Sequence, residues 1–233
     1  DGHRDLIVTN GFPKDVTDHD FITYRNKAYS FASKTQLLVE IPEVKIHNYA
    51  FKNNADLTFS DVTTDWGLKM PTFSNGAAYA DLDNDGDLDL YLASGGSELS
   101  PYSELLYDTL FFNDGTGLFN PSIQKLPNSN NKISTGAVIS ADIDNDGDLD
   151  LFVGERIKIG RYGAPCSGYV LINDGNGIFT DMTAKWAPFF KEMGLITDAQ
   201  FNDFDGDNDQ DLIIAGEFMG IEIYENDGNQ FIK

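Results

Sequence analysis

Fifteen of the 29 aspartates in this 233-residue chain stand in three nine-residue windows, 81–89, 142–150 and 203–211. The first two read D-L-D-N-D-G-D-L-D and D-I-D-N-D-G-D-L-D, and the third D-F-D-G-D-N-D-Q-D, with no Lys or Arg in any of them. Five like charges in so short a span repel one another, so a counter-charge must come from elsewhere. In a tight loop of this pattern the carboxylates at positions 1, 3, 5 and 9 supply oxygens, and position 7 can add its backbone carbonyl. Calcium takes about 6 to 8 oxygen ligands at roughly 2.3 to 2.6 Å in a tolerant geometry, which suits such a loop. Magnesium demands a smaller, stricter octahedron, and zinc or copper would want His or Cys, which the windows lack.

The expected ligands are therefore Asp81, Asp83, Asp85 and Asp89 with the Asp87 carbonyl, then Asp142, Asp144, Asp146 and Asp150 with the Asp148 carbonyl. The third set is Asp203, Asp205, Asp207 and Asp211 with the Asp209 carbonyl. Position 6 must turn sharply, and it holds Gly86, Gly147 and Asn208, the residue types that best tolerate a positive φ. A helix-loop-helix calcium site would carry Glu at position 12, where this chain has Leu92, Val153 and Ile214. The opening Asp1-Gly2-His3-Arg4-Asp5-Leu6 aligns with Asp85 to Leu90, which makes Asp1 and Asp5 candidates for a partial fourth site.

The elements that must hold these loops follow from their spacing. The windows start 61 residues apart, and a fixed period of this kind signals a repeat architecture. Each is followed by an apolar run (Leu90 to Ala93, Leu151 to Gly154, Leu212 to Ala215, and Leu6 to Val8 at the start) and preceded by a run of small and apolar residues. Runs this short, apolar on both faces, read as strands. An Asn-Asp-Gly turn at Asn113, Asn173 and Asn226 marks a second hairpin in each of the last three units, with a weaker copy at Phe51-Lys52-Asn53-Asn54 in the first. Four strands per unit, repeated and apolar on both faces, bury themselves best face to face around an axis. The expected fold is thus all-β: a β-propeller of four-stranded blades with calcium-binding loops, about four blades in a single region spanning 1–233. The units run 1–63 (lacking its first strand, with an insertion at 11–50), 73–125, 133–184 and 194–233. Because the chain opens inside a loop, the reading expects a fragment of a larger propeller, whose remaining blades would be its neighbours. In the insertion, Asp20 is the expected cap of a helix through Phe21 to Arg25.

Composition narrows the partners. The net charge is −22, of which the windows carry −15, so nucleic acid and anionic lipid are poor candidates. No apolar stretch approaches the ~18 residues that span a bilayer, and no membrane insertion is expected. Cys166, the single cysteine, can form no internal disulfide.

The succession of strand, D-x-D-x-D-G-x-x-D-L loop, strand and Asn-Asp-Gly hairpin resembles the FG-GAP/VCBS repeats of integrin-type propellers and secreted bacterial proteins. The stretch from Phe51 through Asp61-Val62-Thr63 to Asn75-Gly76-Ala77-Ala78-Tyr79-Ala80-Asp81 is similar to cartilage acidic protein-like (ASPIC/UnbV-associated) propellers of Bacteroidetes. That resemblance implies an extracytoplasmic, calcium-stabilised seven-bladed propeller used for adhesion or ligand binding.

A catalytic constellation does not emerge from the residues. His3, His19 and His47 have no counterpart in later units, and Cys166 has no His in its own unit to activate it. A carboxylate held by calcium stays ionised and is a poor proton donor. Trp66, Trp186, Phe189 and Phe190 read as blade core, with a sugar-binding surface as the other reading. The expected function is a calcium-stabilised protein- or glycan-binding module, extracellular, at the cell surface or periplasmic. The alternatives are a propeller-type polysaccharide lyase or hydrolase, and a purely architectural segment of a large surface protein.

Overall fold

The computed structural model describes residues 2–11, 18–33, 36–37, 40–42, 46–97, 99, 101–128 and 130–233. Among these residues fifteen strands form four antiparallel sheets in chain order. The first has three strands, β1 (Leu6–Val8), β2 (Tyr49–Asn53) and β3 (Phe59–Asp61). The second has four: β4 (Ser74–Ala80), β5 (Asp89–Ser94), β6 (Thr109–Asn113) and β7 (Phe119–Pro121). The third repeats this order with β8 (Ser134–Ala141), β9 (Asp150–Ile157), β10 (Gly168–Asn173) and β11 (Phe179–Asp181). The fourth consists of β12 (Leu195–Asn202), β13 (Asp211–Glu217), β14 (Glu222–Asn226) and β15 (Phe231–Ile232).

Each sheet is a simple meander, so its two hairpin ends differ in kind. The acidic windows join the first strand to the second, and the Asn-Asp-Gly turns join the third to the fourth; both fall at one end of the sheet. The opposite end carries the longer second-to-third connections, including the 11–50 insertion, and the links between sheets. The second strands are buried on both faces: Leu90, Tyr91, Leu92 and Ala93 are at most 2% exposed. That double burial is what an unbroken apolar run without alternation requires. The first strands are longer than the sequence suggested and bulged, at Ser74/Gly76, Ser134/Thr135/Ala137 and Ile196/Asp198.

Consecutive sheets bury a core between them. Leu68, Leu90, Leu92 and Phe111 pack with Ala50 of the first sheet, Tyr91 and Leu110 with Val153 and Leu171, and Phe152 and Val170 with Ile196 and Ile214. The approach of the third and fourth sheets is close enough to need glycine: a Cβ at Gly154 would stand 2.4 Å from Cγ2 of Ile196.

In the insertion, α1 (His19–Ala28) buries Phe21 and Ala28. Its N-cap is Asp18, whose carboxylate accepts from the Phe21 N–H at 2.7 Å, and not Asp20, which sits in the first turn. Asp18 wins because a cap must precede the first helical residue by enough to reach N–H groups two or three positions on. Both ends of the insertion are tied to the second sheet: Asn48 receives the Asn10 N–H and donates to Thr72, while Ser74 N–H bonds the Asn10 carbonyl. No helix of the described residues is long and apolar enough to cross a membrane.

Candidate metal centres

The three acidic loops share one backbone design. Position 6 is left-handed as expected, with φ of 96° at Gly86, 97° at Gly147 and 77° at Asn208. Position 4 is left-handed too, at Asn84 (60°), Asn145 (58°) and Gly206 (85°), which the sequence reading did not anticipate. Two such turns in nine residues fold the chain back on itself. They bring side chains of alternate residues to one centre, and Asp81, Asp83 and Asp85 place carboxylate oxygens within 4.8 Å of one another. Asp142, Asp144 and Asp146 do the same, whereas in the third loop the group is Asp203, Asp205 and Asp211, without the expected Asp207.

In two of the three centres carboxylate oxygens are left without a partner. Asp81 Oδ1, Asp83 Oδ1 and Asp144 Oδ1 are buried atoms without a hydrogen-bond partner, although backbone N–H groups serve other oxygens of the same loops. Gly86 N–H reaches Asp81 at 3.2 Å and Gly147 N–H reaches Asp142 at 3.1 Å, while Asp203 accepts from Gly206 at 2.7 Å. Burial, followed by the like charge of Asp85, raises the Asp83 carboxyl above its ordinary range; burial with Asp146 and Asp142 does so for Asp144. Buried anions without partners are costly, and a divalent cation among them would reverse both effects. The donor set is all oxygen, so the residues fit a hard cation such as calcium.

Position 9 is engaged differently from positions 1, 3 and 5. Asp89 is fully buried; one oxygen accepts from Leu82 N–H at 2.8 Å and the other from Asn113 N–H at 2.9 Å. Asp150 bridges Ile143 and Asn173 in the same way at 2.9 and 2.8 Å, and Asp211 bridges Phe204 and Asn226 at 2.8 and 2.9 Å. Each is a clamp from the acidic loop to the end of the third strand. Burial pushes Asp89 up to about 6 and Asp150 up to about 7, against the pull of these N–H donors. Only in the third loop does the position-9 carboxylate also join the metal-sized group.

Position 7 points its carboxylate away from its own loop. Asp148 accepts from Asn84 Nδ2, and Asp209 from Asn145 Nδ2 at 2.6 Å, in each case from the loop before. The turn asparagines bind loops together as well. Asn173 Nδ2 donates to the Leu82 carbonyl and Asn226 Nδ2 to the Ile143 carbonyl, both at 2.8 Å, while their Oδ1 atoms accept turn N–H groups. The signal for these links was present in the sequence as an Asn at a fixed place in each unit, but its partner lies 83 or 91 residues away. Asp5 accepts from Asn53 N–H at 2.8 Å, the first sheet's version of the position-9 clamp; Asp1 lies outside the described residues.

The other candidates lie elsewhere. Cys166 is buried, and burial with the nearby Glu155 pushes its thiol up to about 11, which disfavours the thiolate. Trp186 and Phe190 are core residues, 2% and 0% exposed, Trp66 packs against the first interface and Phe189 stands half-open at the edge of the fourth sheet. A shallow cavity of about 200 Å³ lies beside Phe189, Met193, Met219 and Tyr224. Asp108 is a buried carboxylate that holds Tyr91, Ser94 and Thr135 across the second and third sheets.

Comparison with known families agrees with the repeat. Residues 97–153 match a family model described as an FG-GAP-like repeat. That span is offset from the sheets: it takes in β6 and β7 of one and β8, the acidic loop and part of β9 of the next. No curated protein matches the chain.

Proposed function

We propose that the chain is part of a calcium-stabilised β-propeller that works outside the cytoplasm as a protein- or glycan-binding module. One observation carries the metal: three loops of one design each converge carboxylates on a common centre, and two of them leave buried oxygens there without a partner. Asp81, Asp83 and Asp85, with their counterparts Asp142, Asp144 and Asp146, and Asp203, Asp205 and Asp211, would hold the ions. Calcium there would neutralise the loops and brace the end of the sheets that carries them. Calcium sites of extracellular modules are typically of the weak class, which fills at the millimolar calcium found outside cells.

The face-to-face stacking of sheets, with β4, β8 and β12 packed in succession, supports a wheel of blades. The FG-GAP-like repeat matched by residues 97–153 supports the same class. For a binding surface, the end remote from the acidic loops offers the longer connections. These carry Tyr102, Tyr162 and Phe218, which are 86%, 67% and 71% exposed. Aromatic side chains of this kind are the usual anchors of protein and glycan interfaces. Glycan arrays and pull-downs with the calcium-loaded chain, repeated in chelator, test the reading. Calcium-dependent capture weakened by Tyr162→Ala and Phe218→Ala is expected; a loaded, folded chain that captures nothing contradicts the binding role.

A further inference from the structure

The carboxylate that leaves its own loop has a second consequence. Asn84 stands at position 4 of the first loop, between Asp83 and Asp85, and its Nδ2 donates to Asp148 at position 7 of the second. One unit later Asn145, between Asp144 and Asp146, donates to Asp209 of the third loop at 2.6 Å. The donor and acceptor are 64 residues apart in both pairs, so the bond is a feature of the repeat. We propose that these two bonds couple neighbouring cation sites, and that Asn84 and Asn145 are positioning residues that relay the filling of one loop to the next. The inference rests on the calcium reading given above.

The relay works through shared backbone. A cation that draws Asp83 and Asp85 inward fixes the peptide between them, and with it the direction of the Asn84 amide. On the receiving side that amide holds the Asp148 carboxylate, which is also seated over the Asn-Asp-Gly turn of its own unit: a Cβ at Gly175 would stand 2.4 Å from Asp148 Oδ2. Asn84 Nδ2 reaches the Gly175 carbonyl as well, at 3.3 Å. With its side chain held, Asp148 has less freedom left to lose when its own carbonyl turns to an ion. Ordering already achieved by the first ion is not lost again by the second, which gives positive coupling, and coupling of binding free energies is reciprocal. The third loop has Gly206 at position 4, with the same left-handed backbone and no amide to extend. The relay among the described loops therefore runs from first to second to third and ends there.

Gly206 also shows which substitution isolates the effect: Asn84→Gly keeps the left-handed turn and removes only the amide. The test is a double-mutant cycle on the full chain, comparing wild type, Asp83→Asn, Asn84→Gly and the double variant. Each is titrated with calcium while ¹H–¹⁵N spectra follow Gly86 and Gly147, one reporter per loop. Disabling the first loop with Asp83→Asn is expected to weaken calcium at the second loop about fivefold, a modest coupling for linked sites. In the Asn84→Gly background that remote effect should vanish, with metal-free melting within the range of the wild type showing that the fold is intact. Second-loop affinity that is equal in all four proteins overturns the relay and leaves the calcium sites standing. A wild-type chain that takes up no calcium overturns the calcium reading and the relay with it.

Discussion

Asp108 offers a quantitative test of how the second and third sheets are joined, independent of any metal. Its side chain is 1% exposed and all its donors are neutral: Tyr91 Oη at 2.8 Å, Ser94 N–H at 2.7 Å, and Thr135 Oγ1 at 2.8 Å from the neighbouring sheet. Burial pushes the carboxyl from an ordinary 3.8 to about 7, with the three hydrogen bonds pulling the other way. Between those two values the folded state binds more protons than the unfolded one, so the contribution of this group to stability is greatest below pH 4 and falls as the pH rises towards 7. At 1.36 kcal/mol per pH unit the loss is on the order of 4 kcal/mol. Asp108→Asn removes the charge and keeps an acceptor for Ser94 and Thr135, while its amide can donate to the Tyr91 oxygen in a bond of reversed direction. Urea unfolding of both proteins at pH 4.5, 6.0 and 7.5 isolates the effect, because everything else that titrates is common to the two. The stability difference should swing in favour of the variant by a few kcal/mol as pH rises. Asp108→Ala, which strips the acceptor from three donors, should show the same swing with pH and lie roughly 2 to 4 kcal/mol below Asp108→Asn at every pH. A difference between wild type and Asp108→Asn that stays flat from pH 4.5 to 7.5 would refute the reasoning.

The acidic loops yield a contrast between two kinds of aspartate. Asp150→Ala takes away the acceptor of two buried N–H groups and should cost roughly 2 to 4 kcal/mol with or without calcium, seen as a lowered melting temperature in chelator as well as in calcium. Asp144→Ala should lower the melting temperature in calcium only, and the exposed Asp56→Ala should leave the calcium-dependent increment intact; identical behaviour of Asp144→Ala and Asp56→Ala would contradict the ligand assignment. At the third interface, Gly154→Ala forces a methyl into Ile196 and should destabilise by about 1 to 3 kcal/mol in urea titrations. An unchanged midpoint would mean that the sheets have room for a methyl group between Gly154 and Ile196.

The repeat, its strands and its loops were legible in the sequence because their causes are local. A nine-residue acidic pattern, an apolar run and an Asn-Asp-Gly turn each act within a few residues, and the 61-residue period repeats the evidence. The roles that went unread all depend on partners far along the chain. Nothing near Asp89 says that its oxygens meet the Leu82 and Asn113 N–H groups, and nothing near Asn84 points to Asp148. Asp108 reads as an ordinary acid before a strand until the fold places Thr135 beside it. The helix cap was misplaced by two residues because Asp18 and Asp20 are chemically equal candidates, and the extended ψ of Asp18, 129°, is what places it outside the helix.

The central claim is that the three crowded carboxylate loops are cages for a divalent cation. The most direct measurement is the amount of calcium retained by the purified chain at equilibrium, counted by elemental analysis after dialysis against millimolar calcium and matched to a melting curve. The account predicts three ions per chain, two after Asp144→Ala, and a melting temperature that rises with calcium concentration. Retention of none, or a melt that calcium and chelator leave equally unmoved, would contradict it.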